Sequence, residues 1–97
     1  GFRISSTGVT VKPSTRYELS YRIKLEEGMI AYPHVVEQKT SGTAYNSYHE
    51  AYTVTGSGEW QEVTAYFTTA ADVTNTTPSI FVSAGTMVVD CFTLQEA

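Results

Sequence analysis

Charge is scarce in this sequence. Only 16% of its 97 residues are Asp, Glu, Lys or Arg, against roughly 25% in an average globular chain. The few charges lean acidic, for a net of −4. Such a chain lacks the Lys/Arg field that grips phosphate backbones or anionic lipid, so neither nucleic acid nor a membrane surface is an expected partner. Cysteine is nearly absent too. Cys91 is alone, which excludes an intrachain disulfide. It sits in the apolar run Met87-Val88-Val89-Asp90-Cys91-Phe92 and reads as a small buried hydrophobe. No base lies near it in sequence to activate its thiol. No apolar run approaches the ~20 residues that span a bilayer. No stretch reads as a signal peptide, and there is no repeat, low-complexity segment or linker.

The means for catalysis are also thin. The ten acids are Glu18, Glu26, Glu27, Glu37, Glu50, Glu59, Glu62, Asp72, Asp90 and Glu96, nearly all at turns or on wet faces. Glycoside hydrolysis needs two carboxylates facing each other roughly 5–9.5 Å apart, and no pair obviously meets this. No serine stands in a nucleophile elbow. His34 with Glu37, and His49 with Glu50, lack the spacing and number of a zinc site. The expectation is a non-enzyme that requires no cofactor.

What is abundant is β-forming residue. Thr, Val and Tyr dominate, and all suit a pleated, half-buried surface. No window holds an amphipathic helix. Along Thr15 to Leu25, Tyr17, Leu19, Tyr21, Ile23 and Leu25 alternate with Glu18, Ser20, Arg22 and Lys24, which is a strand with one dry face and one wet. A second strand runs from Met29 to Gln38, and Pro33 within it demotes it to an edge or marks a bulge. Ala44 to Thr55 is a strand or a long structured loop. Gly56-Ser57-Gly58 is the strongest break. Trp60 to Thr69 is a strand with Val63, Ala65 and Phe67 on one face. Ala70 to Pro78 reads as a polar connection, Ser79 to Ala84 as a short strand, and Met87 to Leu94 as the last. Phe2 to Ile4 and Val9 to Val11 read as a hairpin across Thr7-Gly8. About seven strands in a chain of one domain's length predict a single all-β domain over 1–97, an antiparallel β-sandwich.

The segment from Tyr32 to Tyr52 carries the most chemistry. Sugars offer apolar C–H faces edged by hydroxyls, which rings can stack on while amide, imidazole or guanidinium groups bond the edges. Tyr32, His34, Gln38, Tyr45, Asn46, Tyr48, His49, Glu50 and Tyr52 supply that mix. Tyr32, His34, Val36 and Gln38 share one strand face, and Asn46, Tyr48, Glu50 and Tyr52 share another. Arg22 and Lys24 lie on the wet face of the preceding strand, and if these strands are neighbours the polar faces line one surface. The candidate ligand-binding residues are therefore Tyr32, His34, Gln38, Tyr45, Tyr48, Tyr52 and Arg22. Four of them have a plainer reading: Tyr48 with Tyr52 as a pair that stabilises a sheet, His34 as a satisfied sheet histidine, Arg22 as a solvated charge.

Three stretches in order resemble the carbohydrate-binding modules of families 4, 9 and 22. They are Val11 to Lys24, with Pro13, Tyr17, Leu19 and Ser20 in the family's spacing, Gly58 to Thr68, with Trp60 and Val63, and Val88-Val89-Asp90-Cys91-Phe92-Thr93-Leu94. The resemblance implies a jelly-roll sandwich of the galactose-binding-like type and non-catalytic binding of a glycan or polysaccharide on a concave face. It also implies an extracellular setting, in a secreted, cell-surface or virion protein. Trp60 takes a packing position by the same resemblance. Asp90 matches a carboxylate that often serves a structural calcium, whose other ligands come largely from a preceding strand; the alternative is that Asp90 bonds backbone at a sheet corner. The family usually begins one or two strands earlier, so the chain reads as a fragment, a minimal variant, or a domain whose edge a neighbouring protein subunit completes. That last option suits a second function, a structural, decoration or fibre module of a virus or cell-surface assembly with no sugar binding. Cys91 departs from the family, which often has an acid or amide there.

Overall fold

The structure, a computed structural model, describes residues 2–48, 51–82 and 84–97. It contains β1 (Phe2–Ser5), β2 (Val9–Thr10), β3 (Arg16–Leu25), β4 (Ile30–Lys39), β5 (Gly42–Ser47), β6 (Val54–Thr55), β7 (Trp60–Thr68), β8 (Val73–Val82) and β9 (Met87–Glu96), with no helix among the described residues. The strands form two antiparallel sheets. The smaller has the order β7-β3-β9. The larger has the order β1-β8-β4-β5, with β2 also on β8 and β6 also on β4.

Alternation along β3 decides the core. Tyr17, Leu19, Tyr21, Ile23 and Leu25 are buried, while the residues between them face out. Fully burying a Leu or Ile side chain is worth about 1.5–3 kcal/mol, so turning this strand over would be ruinous. Ala65 and Phe67 of β7 add to it from the same sheet, with Met87 of β9. The larger sheet closes the core with Ala31 and Val35 of β4, Val54 of β6, and Ile80 and Val82 of β8.

Pro33 does not mark an edge. β4 is an interior strand, paired with β8 on one side and with β5 and β6 on the other. The Pro33 carbonyl accepts the Tyr48 N–H at 3.1 Å, so its backbone polar groups point toward the β5/β6 side. The proline nitrogen thus falls where β6 has ended and β5 has not begun, and no ladder bond is lost. Pro78 repeats the device on β8. Its carbonyl accepts the Ser6 N–H at 3.0 Å, in the break between β1 and β2. The stretch expected to be a polar connection therefore belongs to β8, which begins at Val73. β1 and β2 are not a hairpin either. Both lie antiparallel to β8, with Ser5 opposite Ser79 and Val9 opposite Thr76.

Two further expectations fail in the smaller sheet. Trp60 is 40% exposed; it shares its strand face with Glu62 and Thr64, which look outward. Cys91 is exposed because β9 bulges: Ser20 pairs with Thr93 but Arg22 with Asp90, leaving Cys91 and Phe92 opposite Tyr21 alone. Cys91 takes a φ of +54°, the left-handed conformation such bulges use. Phe92 and Leu94 then return to the core side.

Two contacts close the ends of the sandwich. The Thr69 hydroxyl, 4% exposed, accepts the Thr15 N–H at 3.0 Å and donates to the Lys12 carbonyl at 2.7 Å. Gly56 donates its N–H to the Met29 carbonyl at 2.7 Å, and a Cβ there would run into the Glu26 carbonyl oxygen.

Candidate functional site

The outer face of the larger sheet collects the chemistry. Its rows follow from register. Arg3 of β1 lies opposite Phe81 of β8, which lies opposite Tyr32 of β4. Beside that row are Ser5, Ser79 and His34, then Thr77, Val36 and Tyr45 of β5, then Asn75, Gln38 and Thr43. The intervening residues on β4 and β8 are the core residues already named. That is why these side chains point the other way.

Two ring pairs stand on this face. The Tyr32 and Phe81 rings are 5.4 Å apart and inclined at 52°. The His34 and Tyr45 rings are 6.1 Å apart with planes inclined by only 20°. Tyr45 is 69% exposed, whereas His34 is 7% exposed. Burial, and then the positive charge of Arg3, hold the His34 imidazole below its ordinary pKa, so it is neutral at neutral pH with one nitrogen to donate and one to accept. Its Nδ1 is buried with no hydrogen-bond partner among the described residues. The Thr43 hydroxyl donates to Gln38 Oε1 at 2.9 Å, leaving the amide NH2 as the group Gln38 offers. Rings, an imidazole, an amide and several hydroxyls thus share one surface.

Of the sequence candidates, the structure brings Tyr32, His34, Gln38 and Tyr45 together here. Tyr48 and Tyr52 lie elsewhere. They meet edge to face at 6.2 Å, and Tyr48 also meets core Phe67 at 6.3 Å. β5 ends at Ser47, so these tyrosines belong to a turn in which the Tyr52 N–H reaches the Tyr48 carbonyl at 3.3 Å, not to a strand face. His49 and Glu50 lie outside the described residues. Arg22 is on the opposite side of the sandwich: β3 pairs with β7 and β9, not with β4, so the wet faces of β3 and β4 look in opposite directions. Its guanidinium lies 4.9 Å from the centre of the Trp60 ring.

Asn46 points inward, where its Nδ2 donates to Glu37 Oε1 at 3.0 Å. Glu37 is 3% exposed, and its Oε2 accepts the Ala70 N–H at 3.1 Å. Both carboxylate oxygens are therefore engaged, as a buried charge requires. Tyr48, close by, has its hydroxyl pushed up to about 12 by burial, then by the Glu37 charge and Tyr52. These residues line a cleft of about 450 Å³ between β5 and β7, with Tyr45 on its rim. Asp90 is exposed, and its Oδ1 accepts the Cys91 N–H at 2.8 Å. Among the described residues no three His, Cys, Asp or Glu side chains gather as a metal cluster.

Sequence reasoning missed Arg3, Phe81 and the polar column Asn75, Thr77 and Ser79. The signal was present: Thr76, Pro78, Ile80 and Val82 alternate with them, but Pro78 disguised the strand.

A family model described as a carbohydrate-binding domain matches residues 1–86. The chain belongs to this carbohydrate-binding family. Solved structures of such domains share its fold. The CBM22 and GH10 modules of an endo-1,4-β-xylanase from Clostridium thermocellum, complexed with xylohexaose, superpose with a TM-score of 0.74 at 18% identity, over 89% of this chain and 17% of that one. A CBM22 xylan-binding domain from Paenibacillus barcinonensis gives 0.69 at 16% identity, over 92% and 62% of the two chains. A CBM4 structure gives 0.60 at 21% identity, over 92% and 69%. The chain therefore spans less than two thirds of the first two structures' lengths. No curated protein matches it. As a carbohydrate-binding domain it has the expected fold, a sandwich of two antiparallel sheets.

Proposed function

We propose that this domain binds a polysaccharide chain without catalysis, on the outer face of the larger sheet, as one module of a secreted or cell-surface protein. The observation that carries the reading is the gathering of Tyr32, Phe81, His34, Tyr45 and Gln38 on one face. Tyr45 and the Tyr32–Phe81 pair supply rings for the apolar face of a sugar. Gln38, the neutral His34 and the hydroxyls of Thr77 and Thr43 supply bonds to its edges, while the buried Ser79 hydroxyl donates to the His34 carbonyl at 2.8 Å. The xylan-binding neighbour and the xylohexaose-bound one favour a linear β-1,4-linked backbone as the first ligand to try. None of the structures named above is a capsid or fibre protein, so the assembly-module alternative draws no support from them.

The test is retention of wild type and Tyr45→Ala on a panel of soluble and insoluble polysaccharides, with melting curves alongside. Tyr45 is so exposed that its truncation should leave the melting midpoint in place. Loss of one stacking ring should weaken binding about 5- to 10-fold. A well-folded wild type that retains no polysaccharide on the panel would sink this reading.

A further inference from the structure

Among the described residues, the strands of the face described above place no acid on it. The chain has ten carboxylates, yet every strand residue that register places on the outer face of the larger sheet is neutral, except one. That exception is Arg3. Elsewhere the strand acids that face solvent, Glu18, Glu62, Asp90 and Glu96, belong to the smaller sheet, and Glu37 points into the interior. Among the described strand residues, a chain of net charge −4 thus places one cation and no acid on this face.

Arg3 is also unlike the other arginines. Arg16 lies 4.3 Å from the centre of the Tyr66 ring and Arg22 lies over Trp60. The ion pair among the described residues joins Lys12 to Glu96. Arg3 is exposed, with no ring and no carboxylate as a partner among the described residues. Its place is directed. It lies one strand from Phe81 and two from Tyr32, roughly 5 and 10 Å by strand spacing, at the β1 end of the ring row. Its charge also reaches His34. A guanidinium is a rigid planar fork of five donors that matches a carboxylate with two parallel bonds.

We propose that the face takes a polysaccharide carrying uronic acid groups, with a sugar stacked along Tyr32 and Phe81 and a carboxylate delivered to Arg3. This rests on the polysaccharide-binding reading and names the ligand class within it. The net negative charge of the domain opposes an acidic polymer only at range. At physiological salt, screening sets in within about 8 Å, and the local charge of the face decides. A guanidinium beside the rings can donate to sugar hydroxyls as well, but its fork gains a second, charge-assisted bond only from a carboxylate.

The experiment compares uronic-acid-bearing polysaccharides with the same polymers after their carboxyls are reduced to alcohols, alongside neutral xylan and glucan. Wild type should prefer each acidic polymer over its reduced form by about 3- to 5-fold, the span of one exposed ion pair. Arg3→Gln should erase that preference and leave the reduced polymer's affinity in place. Arg3→Lys should restore part of it, and Arg16→Gln on the other sheet should change nothing. Equal binding of acidic and reduced polymers by wild type overturns the proposal while leaving the binding reading intact. A preference that survives in Arg3→Gln overturns it as well. Failure of wild type to bind any of the polymers removes the reading beneath it.

Discussion

Both sheets carry aromatic side chains on their outer faces, but the two faces have spent them differently. On the smaller sheet each exposed ring already has a cation over it: Arg16 on Tyr66 and Arg22 on Trp60. Such contacts stabilise by about 0.5–1 kcal/mol at exposed sites, and they occupy the face a sugar would use. On the larger sheet the rings meet other rings, Tyr32 with Phe81 and Tyr45 with His34, and an open surface remains. An aromatic count cannot tell these faces apart. The partner of each ring can.

The largest expected effect separates the faces directly. Phe81→Ala should weaken polysaccharide binding about tenfold through loss of ring area, while Trp60→Ala should change it by less than about twofold. Affinity electrophoresis in gels cast with the retained polymer would show both. A Trp60→Ala loss as large as that of Phe81→Ala would break the comparison.

Acid should act on the larger face first. The folded-state pKa of His34 lies below its ordinary 6.5 because of burial and Arg3. The unfolded chain therefore takes up the proton first as pH falls. The neutral imidazole's contribution is fully present above about pH 6.5 and is lost progressively below it, levelling off under the folded pKa. Melting midpoints between pH 7.5 and pH 5 should decline, as order-of-magnitude conditions for a histidine titration, and His34→Gln should flatten that decline. An unchanged slope in the variant would remove His34 as its cause.

The smallest effect concerns an orphaned hydroxyl. Tyr21 is 2% exposed and its hydroxyl has no partner among the described residues; burial alone drives its pKa upward. Unlike His34 Nδ1, this group lies on the inner side of the smaller sheet, away from any ligand face. Removing an unsatisfied buried group is neutral or stabilising, so Tyr21→Phe should hold or raise the midpoint by a few degrees, about 1 kcal/mol at most. A clear fall would mean that the hydroxyl is satisfied after all.

Strict alternation made β3 legible in the sequence, and with it the dry face of the sandwich. The same rule was available for Trp60, which shares parity with Glu62 and Thr64, yet a family packing position pulled it inward. β8 was hidden because Pro78 and a run of threonines mimic a loop; only pairing explains why that proline is harmless. Cys91 could not have been placed by parity, since one extra residue in a bulge reverses the faces beyond it. Half of the candidate site came from β4 alone, where Tyr32, His34 and Gln38 share a period. Arg3 and Phe81 join it only through pairing to β8, and Arg22, which lies on the other sheet, was grouped with it because neighbours in sequence were taken as neighbours in a sheet.

Pro33 and Pro78 have one more consequence. Each turns its missing donor toward a gap in the flanking strands. If β4 or β8 slid by a single residue, that proline would swing toward the β4–β8 ladder, where a donor is required. The same slide would send Tyr32, His34 and Gln38 into the core and Ala31 and Val35 out to solvent. The two prolines thus act as an alignment key. They penalise the misassembled sheet through hydrogen bonding as well as through burial, and they guard the outer face of the larger sheet without forming part of it.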